Sequence, residues 1–233
     1  MKFTTHQLDI LSQCTLFKGV SYDELLHLLP CLKPIIQNYT EGQFIFNQGD
    51  LIQYIYIILD GKVELTKENL AGKKNIVALF SPGNLFGEGV VCTSHRLTPV
   101  SATALTNTTK LLLIPYKRII SSCSNSCSFH HLIVYNMMRL IADKNYHLNT
   151  KMDLLLLKGM REKLATYLLS EAHLCQSLSF TLSLNRNQLA DYLNVSRPSM
   201  CRELGLMKQE GLIDYYQNSF KILDTKKLQN ILL

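Results

Sequence analysis

Hydrophobic and polar positions follow three successive regimes along the chain, and each predicts a different kind of element. From residue 54 to residue 114 the apolar positions alternate with polar ones or form short blocks. Lys62–Lys67 alternates strictly (Lys, Val, Glu, Leu, Thr, Lys), the two-residue period of a half-buried strand. Tyr54–Leu59, Asn75–Phe80, Val100–Leu105 and Lys110–Ile114 are further strand-like segments. Asp60-Gly61, Ala71-Gly72 and Pro82-Gly83 stand where turns are needed, and seven of the eleven glycines fall between residues 42 and 89. This arrangement predicts an antiparallel sandwich or jelly roll. Ahead of it, residues 1–35 read as helical (Leu8, Leu11, then Leu25, Leu26, Leu28 and Leu29) and are expected on the outside of the barrel.

After Ser128 the period changes. Val134, Met138, Ile141, Asn145, Leu148, Met152 and Leu155 are spaced 4, 3, 4, 3, 4, 3, a 3.5-residue repeat that marks the seam of a left-handed coiled coil. Its polar member, Asn145, stands at an a-type position, where a buried amide fixes register in a dimer. An apolar stripe also occurs on a helix that packs within its own domain. The length of the unbroken repeat favours a homodimer.

A third regime begins at Gly159, a hinge position, with a helical stretch over Arg161–His173 and an alternating segment over residues 176–184 that predicts a strand. Asn185-Arg186-Asn187-Gln188 has the form of a capping box, Asn at the N-cap and Gln at N3, opening a helix through Leu193. Ser196 caps a second helix with Pro198 in its first turn, and Gly211 ends it. Two short helices joined by a tight turn make a helix-turn-helix. Leu212–Tyr216 and Phe220–Leu223 then read as the strands of a wing. On the second helix Val195, Met200, Leu204 and Met207 are the expected core face. Ser196, Arg197, Ser199 and Arg202 point outward near the N-terminal end, with Arg186 nearby on the first helix. That end of a recognition helix enters the major groove, where arginine forks onto guanine or binds phosphate. A solvated basic face on an ordinary helix pair is the plainer alternative; the wing and the dimer helix favour DNA. The expected organisation is a sensor domain with N-terminal helices over 1–125, a dimerisation helix over 126–158 and a DNA-binding domain over 159–233, an α+β chain.

Composition narrows the function without naming it. The chain of 233 residues is 47% hydrophobic and 18% charged, which excludes a disordered chain or a coiled-coil rod. Its apolar runs fall short of a membrane span, and Met1–Gln13 lacks the apolar core of a secretory signal, so a cytoplasmic location and no membrane partner are expected. Seven cysteines without a C-x-x-C pair fit reduced thiols. The net charge of +6 is divided evenly: residues 1–150 carry 13 basic and 10 acidic side chains, residues 151–233 carry 11 and 8. That balance permits a nucleic-acid partner but does not require one.

Taken in order, the turn glycines 42, 49, 61, 72 and 83, Phe86-Gly87-Glu88, Asn187-Gln188-Leu189-Ala190-Asp191-Tyr192-Leu193, Val195-Ser196-Arg197, Arg202 and Glu210-Gly211-Leu212-Ile213 resemble the Crp/Fnr superfamily of bacterial transcription regulators over essentially the whole length. The resemblance implies a cyclic-nucleotide-binding-like jelly roll, a long dimerisation helix and a winged helix-turn-helix. It also implies a homodimer on double-stranded DNA with a pseudo-palindromic operator, and contact with RNA polymerase if the protein is an activator. By the match, Arg197 and Arg202 fall where members contact bases and phosphates, and Ser196 where they contact the backbone. Pro198 departs from the pattern, because many members carry a glutamate there, so the operator should differ.

The resemblance also frames the signal. In the family a Gly-Glu pair and a later Arg-Ser pair hold the ribose and the cyclic phosphate. Gly87 and Glu88 match, but Thr98-Pro99 occupies the Arg-Ser positions, and Arg96 stands two residues early. The hydroxyl pair that reads adenine falls on Leu148 and Asn149. A buried phosphate without its arginine is costly, so cyclic AMP is not the expected effector. Glu88 is then expected to cap backbone N–H groups of its loop. Iron–sulfur sensing needs an N-terminal cysteine cluster, and only Cys14 precedes Cys31. Haem, thiol chemistry at Cys123 and Cys127, and a small organic effector stay open, as does any metal. The alternative classes are a cyclic-nucleotide-binding regulatory protein with an altered phosphate cassette and, less favoured, a jelly-roll metalloenzyme. The chain has no H-x-H pair and no phosphate-binding, zincin or nucleophile-elbow motif, so no enzyme activity is expected.

Overall fold

The computed structural model describes residues 3–69, 71–121 and 128–232. The chain divides into two compact units, Met1–Lys144 and Asn145–Leu233. Cys123 and Cys127 lie outside the described residues.

The first unit opens with helices α1 (Thr5–Gln13) and α2 (Tyr22–Leu32), separated by a 3-10 turn over Thr15–Phe17. Both helices begin in capping boxes, Thr4 with Gln7 and Ser21 with Glu24, which satisfy orphan N–H groups of the first turn. Eight strands follow: β1 (Ile35–Tyr39), β2 (Phe44–Phe46), β3 (Tyr54–Asp60), β4 (Val63–Glu68), β5 (Lys74–Phe80), β6 (Leu85–Phe86), β7 (Ser101–Ala104) and β8 (Thr109–Pro115). They form two antiparallel four-stranded sheets, in the orders β1-β8-β3-β6 and β2-β7-β4-β5. One core unites both sheets: Ile55, Ile57 and Leu111 from the first meet Val63, Ala102 and Ala104 from the second. Leu11, Leu25, Leu28 and Leu32 of the N-terminal helices belong to the same core. Short helices α3 (Glu88–Val91) and α4 (Tyr116–Ile120) interrupt and close the strand series.

Helix α5 (Ser128–Leu156) starts in this unit and continues into the second. Ile133 and Met137 enter the first core, while the Asn136 side-chain amide donates to the carbonyls of Leu16 (3.0 Å) and Lys18 (2.8 Å). Buried His130 hydrogen-bonds through Nε2 to the Ile119 carbonyl at 2.8 Å.

In the second unit α6 (Met160–Leu174), α7 (Arg186–Leu193), α8 (Arg197–Gln209) and α9 (Thr225–Asn230) surround a small antiparallel sheet. Its strands β9 (Ser179–Thr181), β10 (Ile213–Tyr216) and β11 (Ser219–Ile222) run in the order β10-β11-β9. The strand expected over 176–184 is confined to three residues, because β11 offers pairing partners only for Ser179, Phe180 and Thr181. No described helix is long and apolar enough to cross a membrane.

Gly61 shows how tightly the barrel turns constrain sequence. Its φ is +82°, and a Cβ there would sit 2.5 Å from Thr106 Oγ1 and 2.6 Å from the Thr108 carbonyl. Gly72 has a similar φ, +78°, with only Glu68 Oε1 near, at 3.9 Å. Gly72→Ala therefore should cost only the left-handed backbone penalty, about 1–2 kcal/mol. Gly61→Ala should cost about 2–5 kcal/mol, since overpacking adds to the same penalty. Urea denaturation of both variants checks the difference, and equal losses would show that space at Gly61 is not limiting.

Candidate nucleic-acid interface and sensor site

The helix-turn-helix is built from local polar satisfaction. Asn185 Oδ1 accepts from the backbone N–H groups of Asn187 and Gln188, both at 3.0 Å, and the Gln188 side chain accepts from Asn185 N at 2.9 Å. This fixes the start of α7. Asn194 adopts the left-handed region (φ 52°, ψ 54°), turning the chain sharply. Ser196 then caps α8: its hydroxyl oxygen accepts from Ser199 N (3.3 Å) and pairs with Ser199 Oγ at 2.7 Å. Met200, Leu204 and Met207 are buried, whereas Ser196, Arg197, Ser199 and Arg202 are exposed. Four of the sequence-selected residues thus share one solvent-facing helix end.

Arg186 is placed differently. Its guanidinium lies 4.9 Å from the Tyr215 ring centroid and 4.7 Å from that of Phe220, and Nη2 donates to the Gln217 carbonyl at 2.8 Å. Burial pushes its pKa down. Its cation braces the wing. Arg197 lines the neighbouring open cleft with Asn187 of α7 and with Asn218 and Ser219 of the wing.

Along α5 the expected seam residues split into two groups. Val134 and Ile141 are half-buried, and Ile141 packs against the first core. Met138, Leu148 and Met152 are 66%, 67% and 55% exposed, with Asn145 exposed among them. Leu148 and Asn149, the expected adenine-facing pair, are both on this exposed stretch of the second unit.

The sensor loop departs from expectation at Glu88. Gly87 (φ +88°) brings the chain close to β3, and Glu88 begins α3 with only 4% exposure. Its carboxylate caps no backbone N–H in the loop; instead Oε1 forms an ion pair with the Lys144 ammonium of α5. The correction has a simple cause: a buried carboxylate needs a cation, and α5 supplies one. Among the described residues, Glu88 Oε2 is buried without a hydrogen-bond partner. Thr98 is buried and tied to its own turn, donating to the Val100 carbonyl at 2.9 Å. Arg96, in the left-handed region at φ 54°, lies over the Tyr116 ring at 5.6 Å. Lys144 is the residue that sequence reasoning missed. The signal was available, because a retained Glu88 without the cassette arginine still requires a positive partner.

Other chemistry-bearing groups stay apart. Burial pushes the Cys14 thiol up to about 11, so it is protonated at neutral pH. Among the described residues, no group of three or more His, Cys, Asp or Glu side chains is arranged to hold a metal ion. His131 and His147 are exposed.

Comparison with known proteins gives two family matches. Residues 36–126 match the cyclic nucleotide-binding domain, and residues 162–231 match the Crp-like helix-turn-helix domain. The chain is 29% identical over 195 residues to the cyclic AMP receptor protein of Thermus thermophilus, covering 83% of this chain and 86% of that protein. It is 28% identical over 193 residues to the transcriptional activator protein anr of Pseudomonas aeruginosa, covering 81% and 76%. The crystal structure of the Thermus thermophilus catabolite activator protein superimposes with a TM-score of 0.54 at 26% identity, covering 94% of this chain and 98% of that one.

The Glu88–Lys144 pair makes an asymmetric prediction. Lys144→Met leaves the carboxylate buried and uncompensated and should cost about 1–3 kcal/mol, less than for a fully buried pair because the lysine side chain is 53% exposed. Glu88→Gln combined with Lys144→Met should recover most of that loss. Chemical denaturation of the single and double variants measures the coupling, and additive costs would mean that the pair contributes nothing.

Proposed function

Since the chain belongs to the Crp/Fnr superfamily of transcription regulators, we propose that it acts as a homodimer on double-stranded DNA under the control of a signal other than cyclic AMP. The observation that carries the DNA reading is the exposed end of α8. Ser196, Arg197, Ser199 and Arg202 face solvent there, while Met200, Leu204 and Met207 hold the opposite side in the core. A helix presented in this way enters the major groove, with arginines reaching bases and phosphates. Arg186 contributes by presenting the wing. Residues 1–125 act as the sensor, 126–158 as the dimerisation helix and 159–233 as the DNA reader.

Dimerisation is supported by Met138, Leu148 and Met152, apolar side chains at seam positions that are exposed among the described residues. The effector reading rests on charge. Glu88 is matched by Lys144, Arg96 lies against Tyr116, and Thr98 is bonded into its own turn. None of these leaves a cation committed to a buried phosphate. Haem, a thiol signal or a small organic effector remain the candidates. A cyclic-nucleotide regulator with an altered cassette is the second reading, favoured by the buried carboxylate of Glu88. Calorimetric binding of cyclic AMP in the micromolar range, abolished by Glu88→Ala, would select it. The relatives are transcription regulators, and the protein is read as a regulator without enzymatic activity, acting in the cytoplasm and meeting RNA polymerase if it activates.

Two measurements test the main reading. Leu148→Glu with Met152→Glu should place desolvated charge in the seam and shift the protein to monomer at low micromolar concentration in sedimentation experiments. Persistence of a stable dimer would overturn the seam. For DNA, Arg197→Ala and Arg202→Ala should separate the base reader from the phosphate binder on a randomised palindrome library with half-site centres about 34 Å apart. Arg202 is the expected base reader, because Pro198 leaves room beside it; its loss should cost about 1–3 kcal/mol per half-site and relax one symmetric position. Losing the phosphate contact should weaken all sequences alike and reduce the salt slope by about one per half-site. If neither variant changes base preference, specificity lies in the wing or in DNA shape.

A further inference from the structure

An ion-pair network joins α6 to the recognition helix. Arg161, second residue of α6, donates from Nε to Glu203 Oε1 at 2.5 Å. Its Nη1 and Nη2 donate to the two carboxylate oxygens of Glu210 at 2.9 and 2.7 Å. One planar guanidinium therefore holds two acidic side chains of the same helix segment, seven residues and about 10 Å apart along the axis. Three donors in a rigid fork can do this, whereas an ammonium supplies a point charge without that geometry. The Arg161 and Glu203 side chains are 33% and 21% exposed, so the inner arm of the network is shielded from water.

The position of Arg161 in the chain gives this network its consequence. Helix α5 ends at Leu156, residues 157–159 are not helical, and Gly159 caps α6. Arg161 is thus in the first turn after the break, and its partners are on the recognition helix. Two anchors two turns apart fix both the axial position and the rotation of α8, which a single contact would not. Arg202 precedes Glu203 and projects about 100° around the helix from it. A rotation of about 20° would move a point at the helix surface, about 5–6 Å from the axis, by about 2 Å, well beyond the roughly 0.5 Å range over which a hydrogen bond keeps its length.

We propose that Arg161 is a positioning residue for DNA reading, which sets the rotation of the recognition helix through Glu203 and Glu210 and ties it to the chain segment entering from the dimerisation helix. Arg161 does not touch DNA in this scheme. The inference rests on the DNA-binding reading above and adds the device that aims Arg202.

The test separates aim from charge. Arg161→Lys keeps the charge and removes the fork. Glu203→Gln with Glu210→Gln keeps the shapes and removes the anions, raising the net charge by two per protomer. A purely electrostatic role for this network predicts tighter binding of all DNA by the double glutamine variant and little change in Arg161→Lys. A positioning role predicts that both variants lose discrimination between a sequence selected by the wild-type protein and its scrambled control, by about tenfold, with an unchanged salt slope. Competition binding with the full-length protein at two salt concentrations reads both quantities, with circular dichroism confirming that each variant is folded. Discrimination preserved in either folded variant overturns the proposal. Failure of the wild-type protein to select any sequence would instead overturn the DNA reading itself, so the two failures are distinguishable.

Discussion

Helix α5 has to satisfy two hydrophobic cores with one stretch of backbone, and much of the structure depends on that demand. Ile133 and Met137 enter the first core and Leu154 the second. Between the two anchorages, residues 142–153 are all exposed. Twelve residues of helix in water are marginal even for strong helix formers, and this segment carries Asn145, Tyr146, Asn149 and Thr150, which are not. Its persistence therefore requires fixed ends. His130 and Asn136 bond to carbonyls at the first end, and Lys151 lies 5.1 Å from the Tyr192 ring near the second. The remaining cost is the exposure of Leu148 and Met152, which the proposed dimer would relieve.

The same helix settles the charge of the Gly87–Glu88 loop. A carboxylate with 4% exposure is tolerable only beside a cation, and Lys144 provides it from outside the loop. The pair is neutral, so any molecule entering beside Glu88 must either displace the ammonium or bring a hydrogen-bond donor for the unpartnered Oε2. A ribose hydroxyl would bring such a donor, but an anionic phosphate brings none and needs a cation of its own. Thr98, at the position where the resemblance expects the cassette arginine, commits its hydroxyl to the Val100 carbonyl.

What could be read in the sequence follows how local each signal is. Caps are local, so Asn185–Gln188 and Ser196 are found in their expected roles, and the helix-turn-helix was legible almost residue by residue. Alternation and strand-forming side chains are local, so β4 was legible from its alternation and β5 from its apolar run. Strand β1 was not, because Gln37 and Asn38 blur its pattern and its identity comes from pairing with Leu111 and Lys110 of β8. Strands β2 and β6, of three and two residues, are too short to show a period at all. The site divides in the same way. Exposure of Arg197 and Arg202 follows from helical phase, whereas Glu88–Lys144 joins positions 56 residues apart and Arg186 meets Gln217 across 31. Such partners are made by the fold, and only an unmet requirement, such as a buried acid without its base, announces them beforehand.

That logic extends to the tip of the recognition helix. A helix N-terminus attracts phosphate through its free N–H groups and its dipole. In α8 that resource is reduced: Pro198 has no N–H, Ser199 N is bonded to Ser196 Oγ, and Met200 N is bonded to the Ser196 carbonyl. Arg197 is the first-turn residue whose N–H is left to the solvent among the described bonds. Backbone attraction for phosphate is therefore weaker here than at a helix with an unencumbered first turn. In the proposed reading, the hydroxyl pair of Ser196 and Ser199 and the exposed side chains of Arg197 and Arg202 would carry more of the phosphate binding. An arginine engaged by phosphate is not available to a base, so the proposed division of labour between the two arginines would constrain which operators the protein accepts. In the proposed reading, Pro198 both withholds a hydrogen-bonding side chain from the groove and strips a donor from the helix end, so both effects would place recognition on the same pair of guanidinium groups.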